Sequence, residues 1–101
     1  MANSQPQESK IQIRDTFAGA EYANAMSVQH GKEEFLITFI NVAGPAGRVV
    51  SKIITSPGHL KRIMSALEDN IKKYESSFGP ITEAQSPTKE IGFQAPAEDS
   101  N

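Results

Sequence analysis

A group of cationic side chains at the start of the most clearly patterned helix is the strongest candidate for chemistry in the sequence. His59, Lys61 and Arg62 follow Ser56-Pro57, and the unpaired N–H groups of a helix N-terminus attract anions. The pattern predicts a contact to a phosphate or carboxylate. The alternative is local, because short motifs of this kind match by chance often: His59 caps the first turn and the two neighbouring cations are simply solvated.

A second set of cations lies on segments with strand patterns and could contact the phosphates of single-stranded DNA or RNA. These residues are Lys10, Arg14, Arg48 and Lys52. Residues 10–79 hold nine basic and seven acidic side chains, a net charge of +2, whereas the whole chain carries −2. This faint basic excess is compatible with nucleic acid, but it lacks the clustered Lys and Arg of a dedicated binder.

Catalytic and metal-binding motifs are missing from the sequence. No P-loop, dinucleotide-binding, zinc-protease or nucleophile-elbow pattern occurs. Glu33 and Glu34 are neighbours on an expected strand, so their carboxylates point to opposite faces. Two histidines and scattered acids give no metal-ligand spacing, and the absence of Cys excludes a zinc–thiolate site or a disulfide. We expect no enzyme, no cofactor and no metal.

Four segments have the composition and alternation of β-strands. They are residues 10–14, 22–29, 34–42 and 48–55. A turn is expected at residues 29–32, where Gly31 tolerates a positive φ. Residues 43–47 break the third segment from the fourth, because Pro45 donates no hydrogen bond to a sheet.

A long helix is predicted after the fourth strand. Ser56 is a good N-cap and Pro57 suits the first turn, while Gly79 followed by Pro80 ends the helix. Between them apolar residues recur at helical spacing: Leu60, Met64, Leu67, Ile71, Tyr74 and Phe78. The expected fold is therefore α+β, an antiparallel four-stranded meander followed by one long C-terminal helix across one face.

The strands around residue 40 are apolar on both faces, which one helix cannot cover. Phe35, Ile37 and Phe39 are expected on one face, and Leu36, Ile40 and Val42 on the other. Either set would form an apolar patch larger than monomers usually expose. We expect a second copy of the chain to cover it in a two-fold dimer. A C-terminal tail folded back through Ile91 and Phe93 is the alternative.

The 101 residues are enough for one small domain. Residues 10–79 hold most of the large apolar side chains, so residues 1–9 and 80–101 are expected to be disordered tails. The first residues lack the basic and apolar regions of a secretory signal, and no apolar run reaches the length of a membrane helix. We expect a soluble cytoplasmic protein.

Two motifs carry a resemblance to a known family. They are Ser56-Pro57-x-His59-x-Lys61-Arg62 and Asn70-Ile71-x-x-Tyr74-Glu75-x-x-Phe78-Gly79. The stretch of about residues 20–79 resembles the small bacterial proteins grouped as domain of unknown function 3467. The resemblance implies a bacterial, intracellular origin and assigns no activity, cofactor or catalytic residue.

Two functions remain open from the sequence. The first is a non-enzymatic homo-oligomeric interaction module, with a protein as a further partner. The second is a sheet-plus-helix dimer that binds single-stranded nucleic acid, with affinity that falls steeply as salt rises. The two-sided apolar strands and the helix stripe favour the first.

Overall fold

A computed structural model describes residues 10–87. It contains β1 (Ala25–His30), β2 (Phe35–Ala43), β3 (Ala46–Thr55) and α1 (Pro57–Phe78). The three strands form one antiparallel sheet in the order β1-β2-β3, so the α+β class, the meander and the C-terminal helix are confirmed. The predicted tail at residues 1–9 lies outside the described residues, as do Ile91 and Phe93. Residues 80–87 are described and form neither helix nor strand.

The sheet has three strands and not four, so the prediction of a strand at residues 10–14 is wrong. Ile11 and Ile13 are 87% and 86% exposed. Alternation specifies which side chains share a face, but a strand also needs a neighbouring edge to receive its backbone hydrogen bonds. In the described chain these residues lie beside no such edge.

Both hairpins are closed by short turns. The Gly31 N–H donates to the Glu34 carbonyl at 2.9 Å between β1 and β2. Between β2 and β3, Ala43 pairs directly with Ala46, which leaves Gly44 and Pro45 as the loop. Gly44 has φ +64°, a value that suits the first position of a tight hairpin turn. The expected break at residues 43–47 is therefore a two-residue turn, with the strands paired close to it.

A β-bulge interrupts the pairing of β2 with β3. Phe39 pairs with Ser51 and Ile40 pairs with Val49, so Val50 is an extra residue on β3. A bulge shifts the alternation of the strand that carries it. Arg48 consequently pairs with Asn41, and Lys52 with Thr38, which places these two cations on opposite faces of the sheet.

The helix begins and ends where the sequence predicts. The Ser56 hydroxyl oxygen accepts a hydrogen bond from the His59 N–H at 3.1 Å, and Pro57 occupies the first turn. At the other end the Gly79 N–H donates to the Glu75 carbonyl at 2.9 Å, with Gly79 at φ +95°. Local capping chemistry therefore sets both ends of α1.

The core of the described chain is small and centres on β2. Ile37 and Ile40 are its buried apolar residues, and Thr38 is buried between them. Of the apolar side chains of α1, Leu60 and Ile63 are half-buried, and α1 has no buried residue. The helix therefore adds little to this core, and most of its apolar stripe lies in water.

Candidate interaction surface

The register of the sheet defines a first apolar face, here called the Phe35 face. Pairing places Met26 beside Phe39, Val28 beside Ile37, and Ile53 on the other side of Ile37. The three flanking side chains are 48%, 48% and 45% exposed, respectively. Phe35, Ile37 and Phe39 thus share one face as the alternation predicts, and that face is open at both flanks.

The opposite face, here called the Ile40 face, carries the second set of predicted residues. Leu36, Ile40 and Val42 alternate with the first set along β2, and Ile40 is only 3% exposed. Ile54 on β3, which pairs with Leu36, is 66% exposed. The centre of this face is therefore buried at Ile40, whereas Ile54 is exposed to solvent at its β3 edge.

The apolar side chains of α1 form a third exposed apolar surface, here called the helix stripe. From Met64 to Phe78 its members are between 48% and 75% exposed: Met64, Leu67, Ile71, Tyr74 and Phe78. The rings of Tyr74 and Phe78 lie 4.9 Å apart, centre to centre, at an interplanar angle of 46°. Large contiguous apolar patches on a protein surface are typical of interaction sites.

Residues 17–23, here called the crossing segment, lie across the strands of the Phe35 face. They border an open groove of about 630 Å³ together with Phe39, Val50 and Ser51. Glu21 accepts a hydrogen bond from the Arg48 guanidinium on β3 at 3.0 Å, although both side chains are more than half exposed. The chain thus passes from the start of β1 over β2 towards β3.

Asn24, which follows the crossing segment, is hydrogen-bonded to the sheet through its side chain and its backbone. Its side-chain NH₂ donates to the Val42 carbonyl at 3.0 Å, and its carbonyl oxygen accepts from the Val42 N–H at 2.9 Å. Its backbone N–H donates to the Ile40 carbonyl at 3.0 Å. Sequence reasoning missed this role, since an Asn before a strand is more often solvated and nothing in its neighbours points to Val42.

The cations at the start of α1 are close in sequence and differ in their surroundings. The His59 backbone N–H is already bound by Ser56, and Pro57 has no N–H to offer. Lys61 and Arg62 are exposed. The first turn therefore has few amides left for an anion, and an anion contact at His59, Lys61 and Arg62 stays a prediction.

The four cations proposed for phosphate contacts do not form one strip. Lys10 and Arg14 lie on the exposed N-terminal segment, Arg48 is paired with Glu21, and Lys52 is on the Ile40 face. The bulge at Val50 separates the last two. Their spacing of four residues would otherwise place them on one face.

Neither a metal-ligand cluster nor a membrane-spanning helix is present among residues 10–87. In that range no group of three or more His, Asp or Glu side chains is placed to hold a metal ion. The helix in the same range is not apolar enough over its length to cross a bilayer.

The fold and surface define a small α+β protein, with a three-stranded antiparallel meander, one C-terminal helix and an apolar surface divided between them. The chain belongs to the family described as protein of unknown function, domain of unknown function 3467, whose model matches residues 1–83. The family resemblance seen in the sequence is thus confirmed, and the match includes the crossing segment and the residues before it. No curated protein and no solved structure is significantly similar to the chain.

Proposed function

We propose that this protein is a non-enzymatic homo-oligomeric interaction module whose working unit is a homodimer. The observation that carries the proposal is the helix stripe, of which every member from Met64 to Phe78 is 48–75% exposed in the single chain. A helix in water is marginal unless an apolar face is packed. Something must therefore cover the stripe for α1 (Pro57–Phe78) to persist along its full length.

A second copy of the chain is the partner that the stripe fits best. Its spacing alternates four and three residues from Leu60 to Phe78, which is the 3.5-residue period of a helix that packs against another helix. The same stripe on a second copy is self-complementary, so one two-fold contact covers both. The polar residues Lys72 and Lys73 lie away from the stripe around the helix and remain available to solvent.

The sheet supports the same proposal. Met26, Val28 and Ile53 keep about half of their surface in water on the Phe35 face. A dimer contact that also covered these side chains would remove further apolar surface from water. The expected role is then to present the remaining edges, helix ends and C-terminal segment to a further protein partner.

Light scattering of the purified chain across a dilution series tests this proposal. We expect twice the monomer mass of 11.0 kDa at high concentration, with dissociation on dilution that follows mass action. A mass of 11.0 kDa at every concentration would overturn the proposal. In that case the exposed helix stripe would be the first place to look for a different partner.

Binding of single-stranded nucleic acid is the alternative function. Its support is the exposed pair Lys10 and Arg14 and the modest positive charge of residues 10–79. Fluorescence anisotropy with single-stranded DNA at low salt tests it, since phosphate contacts weaken steeply with ionic strength. A bacterial source and a cytoplasmic location are further proposals, supported by the family resemblance and by the absence of Cys.

A further inference from the structure

The geometry points to strand exchange: residues 10–14 of one copy add a fourth strand to the free edge of β1 in a second copy. This inference rests on the proposed homodimer and adds a second contact between the copies to that of the helix stripes. It also gives a neighbour to a segment that has the sequence pattern of a strand and pairs with no strand among residues 10–87.

The segment has what a strand needs except a neighbouring edge. Ile11 and Ile13 alternate with polar side chains, and both residues are more than 85% exposed to solvent. The crossing segment, held by Asn24 at one end and by the Glu21–Arg48 ion pair further along, leads the chain towards β3. Residues 10–14 precede the crossing segment and pair with no strand among residues 10–87.

The charges and backbone of the two sheet edges favour β1 as the receiving edge. In the described chain β1 and β3 each pair only with β2, so both have an open side. The bulge at Val50 and the cation of Lys52 protect the β3 edge, since bulges and Lys are devices that discourage further pairing. The β1 strand, AMSVQH, carries no Lys, Arg, Asp, Glu or Pro.

The side chains also match across the proposed pair. With Gln12 opposite Ser27, Ile11 and Ile13 lie beside Met26 and Val28 and extend the Phe35 face in either strand direction. Lys10 and Arg14 then fall on the other face, beside the uncharged ends of β1. On the β3 edge, the same two cations would share a face with Lys52, which is unfavourable.

Disulfide trapping tests the exchange, because the natural chain has no Cys. Equal amounts of the single variants Gln12→Cys and Ser27→Cys are mixed, equilibrated and oxidised with glutathione disulfide. Cross-strand Cα atoms lie about 4.5–5.5 Å apart, within the span of a disulfide. We expect a covalent dimer of twice the chain mass of 11.0 kDa on a non-reducing gel.

The matched control replaces Ser27→Cys with Lys52→Cys. Ser27 and Lys52 are the two partners of Thr38, one on each side of β2, so they present the same face at opposite edges. We expect several-fold less covalent dimer from Gln12→Cys mixed with Lys52→Cys. Each single variant oxidised alone gives the background.

The outcomes separate this inference from the proposed dimer. A dimer by light scattering that cross-links equally or preferentially through Lys52→Cys, or through neither position, overturns strand exchange and leaves the homodimer standing. A monomer in light scattering overturns both. Circular dichroism of each single variant confirms that it is folded before mixing.

A second variant avoids any dependence on cross-linking chemistry. Ile11→Ser combined with Ile13→Ser changes two side chains that are exposed in the single chain, so the fold of the monomer should be unaffected. We expect the dimer dissociation constant to rise by more than about tenfold. An unchanged dissociation constant would show that the segment contributes nothing to the contact.

Discussion

Replacing Ile71 with Ala removes apolar surface from the middle of the helix stripe without breaking the helix. Ile71 is 48% exposed in the single chain, and its neighbours along the stripe, Leu67 and Tyr74, are exposed to a similar extent. Alanine has a higher helix propensity than isoleucine. The substitution should therefore act on what the stripe packs against, with α1 itself retained.

The magnitude follows from the surface that dimerisation would bury. Ile→Ala deletes about three methylene equivalents, worth about 2.4 kcal/mol when fully buried. About half of the Ile71 side chain is already shielded within the chain, so about 1.2 kcal/mol belongs to the dimer contact in each copy. Both copies carry the substitution, so the dimer loses about 2.4 kcal/mol of binding free energy in total. This loss corresponds to an increase of about 50-fold in the dissociation constant.

Sedimentation equilibrium of the wild type and Ile71→Ala provides the two dissociation constants. Lys73→Ala is the matched control, because Lys73 is exposed on the far side of the same helix and should leave the dissociation constant unchanged. Circular dichroism checks that both variants keep their helix content. Equal dissociation constants for the wild type and Ile71→Ala, or a larger effect of Lys73→Ala, would refute the assignment of the stripe to the contact.

Three further substitutions test how the fold is held. Asn24→Ala leaves the part-buried N–H and C=O of Val42 unpaired. Urea unfolding should show that the free energy of unfolding falls by about 1–3 kcal/mol. An unchanged midpoint would mean that water replaces the side-chain amide of Asn24. Gly79→Ala places a Cβ where nothing lies within 4 Å, but at φ +95° and ψ 172°. The backbone strain should lower the free energy of unfolding by about 1–3 kcal/mol, as measured by thermal or urea unfolding. An unchanged free energy of unfolding would indicate that the backbone at the end of the helix adopts another conformation. Ser56→Ala removes the bond to the His59 N–H and should cost about 1 kcal/mol, whereas the mid-helix control Ser65→Ala should be close to neutral.

The parts of the fold that the sequence predicts correctly are those governed by local chemistry. Ser56 and Gly79 set the ends of α1 through hydrogen bonds that span three or four residues, and Pro57 suits the first turn. The Gly44-Pro45 pair forms the second turn within the expected break, whereas the first turn lies later than expected, after His30, and Gly31 does not adopt a positive φ. Each of these signals is complete within a few residues, so no knowledge of the remote chain is needed.

The features that escaped prediction depend on pairs of distant residues. Residues 10–14 have the alternating pattern of a strand, but they form one only if a neighbouring strand edge receives their backbone hydrogen bonds. The bulge at Val50 arises from how β3 pairs with β2, and a strand read alone gives no sign of it. The bonds of Asn24 to Val42 join residues eighteen positions apart. Composition could indicate an uncovered apolar surface, but not that α1 would leave Met64, Leu67, Ile71, Tyr74 and Phe78 exposed.

The two hydrogen bonds of Asn24 make the sheet sensitive to chemical ageing. An amide side chain offers both a donor and an acceptor to the Val42 peptide, and asparagine is among the residues that heat and time degrade. Deamidation to aspartate would keep the acceptor for the Val42 N–H but set a second oxygen against the Val42 carbonyl. Replacement of the Asn24 NH₂ group by a carboxylate oxygen would thus weaken the attachment of the crossing segment, through which residues 10–14 are connected to the sheet.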